Sequence, residues 1–187
     1  MRRIFAFLLV LFSMHSFAQQ VPDFTLPNTV DGKPVSLKDC KASPGVVILF
    51  TSNSCPYDSY YYERMKKIAA NSKVTVLLVN AHTGDGESVA AMKAKAAELG
   101  LNVPYLADKE QVLMKSLHAT KSPQAFVLKN SGGQFSVFYQ GAIDDNAQVE
   151  ADVHETYLQN AINALLGGQK PAAAEVRPVG CVIRKRA

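Results

Sequence analysis

The run from Gly45 to Thr51, GVVILFT, is apolar at nearly every position and so cannot present one wet and one dry face. Such a strand must be covered on both sides, which calls for a sheet sandwiched between other layers. The run ends in Ser52-Asn53-Ser54-Cys55-Pro56. Proline suits the first turn of a helix, where its missing amide proton leaves nothing unpaired. Tyr61, Met65, Ile68 and Ala69 then follow at helical spacing, on one face. A buried strand thus passes through a short polar turn into a helix, and Cys55 sits at the joint.

The same alternation continues along the chain. Val74 to Val79 reads as a second buried strand, and Val89, Met92, Ala96 and Leu99 define a second helix that stops at Gly100. Asp108 reads as the N-cap of a short third helix through Leu117, and Ser122-Pro123 breaks the pattern. Gln124 to Leu128 and Phe135 to Tyr139 form a hairpin across Asn130-Ser131-Gly132-Gly133. Tyr157, Leu158, Ala161, Ile162 and Leu165 mark a final helix, ended by Gly167-Gly168. Before the first buried strand, Val21 to Leu37 reads as a hairpin or extended arm turning at Asp31-Gly32; after the last helix, Lys170 to Pro178 reads as an extended strap rather than a packed element. These elements predict an α/β fold, a central mixed sheet flanked by helices with an N-terminal arm and a C-terminal tail.

Residues 1–18 stand apart. Arg2 and Arg3, the apolar run from Ile4 to Phe12 and the small-residue exit Ser16-Phe17-Ala18 have the form of an export signal, with cleavage expected after Ala18. The apolar run is shorter than the roughly 20 residues of a membrane-spanning helix. The expected organisation is therefore a signal peptide at 1–18, one domain at 19–168 and an extended tail at 169–187, in a periplasmic or secreted protein without a stable membrane anchor after cleavage. Losing Arg2 and Arg3 takes the formal charge from +4 to +2. So small an excess, with no basic stripe interleaved with aromatics, argues against nucleic acid as a partner.

Three cysteines, Cys40, Cys55 and Cys181, are too few for a disulfide framework. Cys55 is placed where unpaired amides and the helix dipole favour a thiolate. A buried structural cysteine is the competing reading, and the polar company of Ser52, Asn53 and Ser54 opposes it. Asp58, one turn on, would resist thiolate formation if it came close. Cys40 lies between lysines that would activate it modestly, and it reads as a thiol without a catalytic part. His82 ends the second strand, so that Cys55, His82 and Cys181 together form a candidate Cys2His metal site for Zn(II) or Cu(I), with no recognisable local motif. His118 and His154 read as solvent-facing or packing residues, and Asp144 and Asp145 as either site-lining or turn-capping. No cofactor is required beyond the cysteines, since no phosphate-cradling Gly-rich fingerprint is present.

The order of elements resembles the thioredoxin superfamily, and specifically its redoxins of the alkyl hydroperoxide reductase/thiol-specific antioxidant type. The matching pieces are Val21-Pro22-Asp23-Phe24-Thr25-Leu26, Phe50-Thr51-Ser52-Asn53-Ser54-Cys55-Pro56-Tyr57, Ser122-Pro123-Gln124-Ala125-Phe126-Val127, Gly141-Ala142-Ile143-Asp144-Asp145-Asn146 and Arg177-Pro178-Val179-Gly180-Cys181. The resemblance implies a thioredoxin-like fold, a cis-proline at Pro123 facing the active cysteine, and a Ser52 that fits the threonine-or-serine position before it. Asp58 stands where a Cys-x-x-Cys pair has its second cysteine, and Ile48 where peroxiredoxins place a proline, with no arginine in the later segments that plainly matches their active-site arginine. Cys181 then becomes the natural resolving thiol, redox-active or fixed; a bridge closing so long a loop contributes about 4 to 5 kcal/mol on the chain-entropy estimate. The expected function is exported thiol-disulfide exchange through Cys55, its partners a protein or small-molecule disulfide or peroxide as substrate and a thiol reductant. Peroxidase activity at the same two residues and a non-catalytic copper- or protein-binding scaffold are the alternatives.

Overall fold

The computed structural model describes residues 19–186. The leader expected over residues 1–18, with its exit at Ala18, lies outside them. The elements run β1 (Thr25–Pro27), β2 (Pro34–Ser36), β3 (Gly45–Phe50), α1 (Pro56–Asn71), β4 (Thr75–Asn80), α2 (Val89–Glu98), β5 (Tyr105–Ala107), α3 (Val112–Leu117), β6 (Lys121–Ser122), β7 (Gln124–Ser131), β8 (Gln134–Gly141), α4 (Tyr157–Leu166), β9 (Glu175–Val176) and β10 (Cys181–Val182). The central sheet has the order β5-β4-β3-β7-β8-β9, while β1 pairs with β2 and β10 with β6 in two small ribbons.

Every residue of β3 is buried, and its side chains divide by parity. Val46, Ile48 and Phe50 enter one core with the arm residues Phe24 and Leu26, α3 residues Leu113 and Leu117, and Ile183 of the tail. Val47 and Leu49 enter the other, against Tyr61 and Met65 of α1, Met92 and Ala96 of α2, and Leu158 and Ile162 of α4. The two-sided burial read from the sequence follows, but only one face is covered chiefly by long helices. The other is closed by the arm, the short α3 and the tail.

Strand direction places the functional end. β3 runs parallel to β4 and antiparallel to β7, with Phe50 opposite Val79 on one side and Gln124 on the other. The turn after β3, the end of β4 and the start of β7 therefore meet at one edge. There Thr51 N donates to Val79 O at 2.8 Å.

Three local expectations are revised. The strap after α4 is not free of the sheet: β9 pairs parallel with β8, Gln140 opposite Glu175 and Gly141 opposite Val176. Gly141, at φ +137, permits this, since a Cβ there would run into the Val176 backbone. Val89 begins α2 on its solvent side, exposed rather than on the buried face, because Ser88 is the N-cap and only Met92 and Ala96 turn inward. Asp108 caps α3 from a distance: its carboxylate accepts from Val112 N and Met114 N, while Gln111 in the left-handed region takes the cap position itself.

Candidate active site

Cys55 is the N-cap of α1, in extended conformation, with Pro56 in the first turn. Its amide donates to Ser52 Oγ at 3.1 Å, and the amide of Asp58 donates to the Cys55 carbonyl at 3.1 Å. The sulfur is bonded to Cys181, across a Cα–Cα distance of 6.0 Å. Only 5% of Cys55 is exposed, and Cys181 is half-buried.

The tail reaches Cys55 as a strand. Cys181 stands opposite Ser122 and Val182 opposite Lys121 in an antiparallel pair, extended by Ile183 N donating to Thr120 O at 2.9 Å. Lys121 Nζ donates to the Gly180 carbonyl at 3.2 Å, and Gln111 Nε2 to that of Arg184 at 2.8 Å. A Cβ at Gly180 would strike the Ser122 carbonyl, so the glycine before Cys181 is what lets the tail backbone close on this loop. The Ser122–Pro123 peptide is cis. The Ser122 carbonyl lies 3.5 Å from Cys55 Sγ, and its hydroxyl 2.8 Å from His82 Nε2.

Beneath the turn sits Glu87, a residue that the sequence reading did not single out. Its carboxylate accepts from Ser52 Oγ (2.6 Å), Asn53 N (3.0 Å), Ser54 N (3.0 Å) and Asn80 Nδ2 (2.6 Å). Burial opposes its charge, but these donors outweigh burial and hold its pKa at about 2. Ser52 is thus committed on both sides, donating to Glu87 while accepting from Cys55 N. Glu87 comes from the loop after β4, 35 residues from Ser52, and no local spacing connects the two. Lys109 is another such residue: its ammonium donates to Asn80 Oδ1 at 3.0 Å and the His82 carbonyl at 2.9 Å, and burial brings its pKa down to about 8.

A groove of about 320 Å³ opens over the disulfide, lined by Ser54, Cys55, His82, Gly86, Cys181 and Arg184 among others. Cys55, His82 and Cys181 are therefore brought together as the sequence suggested, but with the two sulfurs spent on each other. No group of three or more His, Cys, Asp or Glu residues suited to a metal ion occurs among the described residues. Burial holds the pKa of His82 below its usual value, so its ring favours the neutral form. A groove of about 340 Å³ elsewhere borders Arg64 and Asp144 and contains no cysteine or histidine. Arg64 donates to Asp144 Oδ2 at 2.6 Å and to the carbonyls of Asn146 and Ala147, so this arginine of α1 braces the loop after β8 rather than facing the sulfurs. Asp144 also accepts from Tyr61 OH, and Asp145 accepts from the amide of His154, so both hold the loop after β8, and with Pro123 and Val179 both line a small pocket beside the proline loop. His118 and His154 are exposed. Cys40 is buried, and burial raises its thiol pKa; the activation by neighbouring lysines read from the sequence does not occur, because Asp39 opposes it as well.

Residues 17–134 match the model of the AhpC/TSA family. The sequence matches none of the curated proteins. Among solved structures, an uncharacterized conserved protein from Geobacillus kaustophilus is 27% identical with a TM-score of 0.81, over 90% of this chain and 92% of that one. A hypothetical protein from Sinorhizobium meliloti 1021 is 26% identical with a TM-score of 0.80, over 91% and 94%. A thioredoxin-like protein solved in its oxidised form, 16% identical, superposes with a TM-score of 0.65 over 83% and 99%, and identifies the fold as thioredoxin-like.

Proposed function

The chain belongs to the AhpC/TSA family, and from that premise we propose that it is a thiol-disulfide oxidoreductase in which Cys55 is the attacking thiol and Cys181 the resolving one. In this reading the Cys55 thiolate attacks a substrate disulfide, one substrate sulfur leaves, and a mixed disulfide forms. The Cys181 thiolate then displaces the second substrate sulfur and closes the internal bridge; a thiol reductant reopens it. Ser52 and the Ser122–Pro123 loop hold the sulfur in place. The observation that carries the reading is the pairing itself: a cysteine at the amino end of α1 bonded to a half-buried tail cysteine at the edge of a groove. The export leader, and with it a periplasmic or secreted location, belongs to the same proposal. It agrees with the presence of a Cys55–Cys181 disulfide.

The test is alkylation and mass mapping of the folded protein before and after dithiothreitol. Cys181, the more exposed of the pair, should become alkylated without denaturant once the bridge is reduced, while Cys40, as enclosed as Cys55, reports any general loosening of the fold. A bridge that opens only in denaturant makes it a structural brace and ends the reading. Arg184 at the groove supports a second reading, peroxide reduction. There the Cys55 thiolate attacks one peroxide oxygen, the O–O bond breaks and the other oxygen leaves as an alcohol or water; the resulting sulfenic acid then condenses with the Cys181 thiol, releasing water and forming the bridge that a thiol reductant reopens. Consumption of hydroperoxide by wild type, and its absence in Cys55→Ser, would favour that chemistry.

A further inference from the structure

The polar hydrogens of the turn before Cys55 are directed beneath it. Ser52 Oγ donates to Glu87 Oε1 at 2.6 Å, and itself accepts from Ser54 N and Cys55 N, both at 3.1 Å. Asn53 N donates to Glu87 Oε2 and Ser54 N to Glu87 Oε1, each at 3.0 Å. The direction of the Ser52 proton is fixed, because a carboxylate has nothing to donate and Glu87 is held as the anion by its donors. Glu87 is 4% exposed and Ser52 2%, so water does not compete for either.

Glu87 is held from behind. Asn80 Nδ2 donates to its Oε2 at 2.6 Å, and Asn80 keeps that orientation because its own Oδ1 accepts from His82 N and Lys109 Nζ, each at 3.0 Å. Asn80 Nδ2 also meets Tyr105 OH, which donates to Asn53 Oδ1, and Asn53 Nδ2 in turn donates to the Gly86 carbonyl. Gly86 permits this approach, since a Cβ there would stand 2.7 Å from Ser54 Oγ. None of these hydrogen bonds reaches a sulfur, although Ser52, Cys55 and Glu87 all line the groove over the disulfide. We infer that Glu87 is a positioning residue that sets the specificity of Cys55: by holding the Ser52 hydroxyl and the turn amides, it leaves the cysteine able to reduce S–S bonds but without a donor for a leaving oxygen. This rests on the exchange reading above.

The two reactions differ in what departs. In exchange the Cys55 thiolate attacks one sulfur of a disulfide, the S–S electron pair passes to the other, and that sulfur leaves as a thiolate, the base of an acid of pKa about 8.5. With hydrogen peroxide the thiolate attacks one oxygen and the O–O electron pair passes to the other. That oxygen leaves as hydroxide, the base of an acid of pKa about 15.7, and Cys55 is left as a sulfenic acid. Hydroxide is the poorer leaving group and gains far more from a donor aimed at the developing charge. In Glu87→Gln the side chain offers one oxygen in place of two. Of the four donors only the Ser52 hydroxyl can reverse, since Asn80 is pinned and the other two are backbone amides. The new amide nitrogen therefore turns to Ser52, whose proton is released toward the groove.

The experiment uses the folded protein carrying Cys181→Ser as parent, so that Cys55 alone takes the first step. It compares the rates at which Cys55 forms its adduct with hydrogen peroxide and with 2-hydroxyethyl disulfide, both uncharged. Their ratio cancels thiolate ionisation and any loosening that alters both rates alike. In the parent this peroxide-to-disulfide ratio should be no higher than that of free N-acetylcysteine. Glu87→Gln should raise it roughly tenfold, less than an enclosed oxyanion donor contributes because the groove is open to water, and Ser52→Ala added to that variant should abolish the rise. A parent ratio above that of the free thiol, a ratio unchanged in folded Glu87→Gln, or a rise that survives Ser52→Ala overturns the role of Glu87 while leaving exchange intact. If Glu87→Gln does not fold, the parent ratio alone decides. A parent Cys55 that reacts with neither reagent overturns the exchange reading as well.

Discussion

Asp58 and Glu87 lie close enough to feel each other's charge, yet they are driven in opposite directions by what surrounds them. Glu87 is given four donors and stays ionised; Asp58 is given none that close. A carboxyl whose folded-state pKa rises from 3.8 to about 7 binds more protons folded than unfolded between those values. Its contribution to stability is complete below about pH 4 and is lost as pH climbs to about 7, a fall of about 4 kcal/mol. Asp58→Asn removes that titration without changing shape. Urea denaturation should find the variant more stable than wild type at pH 8, by up to that amount, with the gap closing toward pH 4. A constant gap would mean that Asp58 is not enclosed and unpartnered. None of this asymmetry was legible in the sequence. In the sequence Asp58 reads as a charge opposing the thiolate and as the residue in place of a second cysteine, and Glu87, which reaches Ser52 only through the fold, carries no signal at all.

At the scale of elements, the tail is anchored on both sides of Cys181. Ile183 is 4% exposed and belongs to the core that also contains Phe50 and Phe126, while Gly180 lies against Ser122. Two residues of extended chain reach only about 7 Å, so reduction frees the Cys181 sulfur without letting it travel far. The pair then behaves as a local dithiol despite a separation of 126 residues. Ile183→Ala should cost about 2 to 5 kcal/mol as a core truncation. It should also slow re-closure of the bridge after reductant is removed, because a loosened tail lowers the effective concentration of one thiol at the other. Unchanged closure in a destabilised Ile183→Ala would show that β10 is held by its backbone pairing alone. The strand-turn-helix at Cys55, the hairpin and α4 could be read from periodicity because each is encoded in contiguous residues. The two-residue strands β9 and β10 carry no periodicity. They exist because Gly141 and Gly180 admit a second backbone, and a glycine's neighbour across space is not written beside it.

For the molecule as a whole, one free energy governs both stability and redox behaviour. Closing the loop between Cys55 and Cys181 restricts the unfolded chain by about 5 kcal/mol on the entropy estimate. Whatever part of this survives as extra stability of the oxidised fold is, by the thermodynamic cycle, equally resistance of that fold to reduction. A structural brace keeps nearly all of it. An exchange pair cannot, and on the proposed exchange reading the offset comes from α1: the reduced Cys55 sulfur would remain at its amino end, where helix termini favour a thiolate. The carboxyl of Asp58 takes the neutral form as readily as the charged one near neutrality, so it does not veto that charge. Denaturation of the oxidised and reduced protein at pH 7 should therefore differ by less than about 3 kcal/mol, well short of the full loop entropy. Cys55→Ser, which loses the bridge without gaining a thiolate, should fall below the reduced wild type. If the oxidised form exceeds the reduced form by the full entropy estimate, and Cys55→Ser matches the reduced protein, then α1 contributes nothing to the released sulfur and the bridge is a brace.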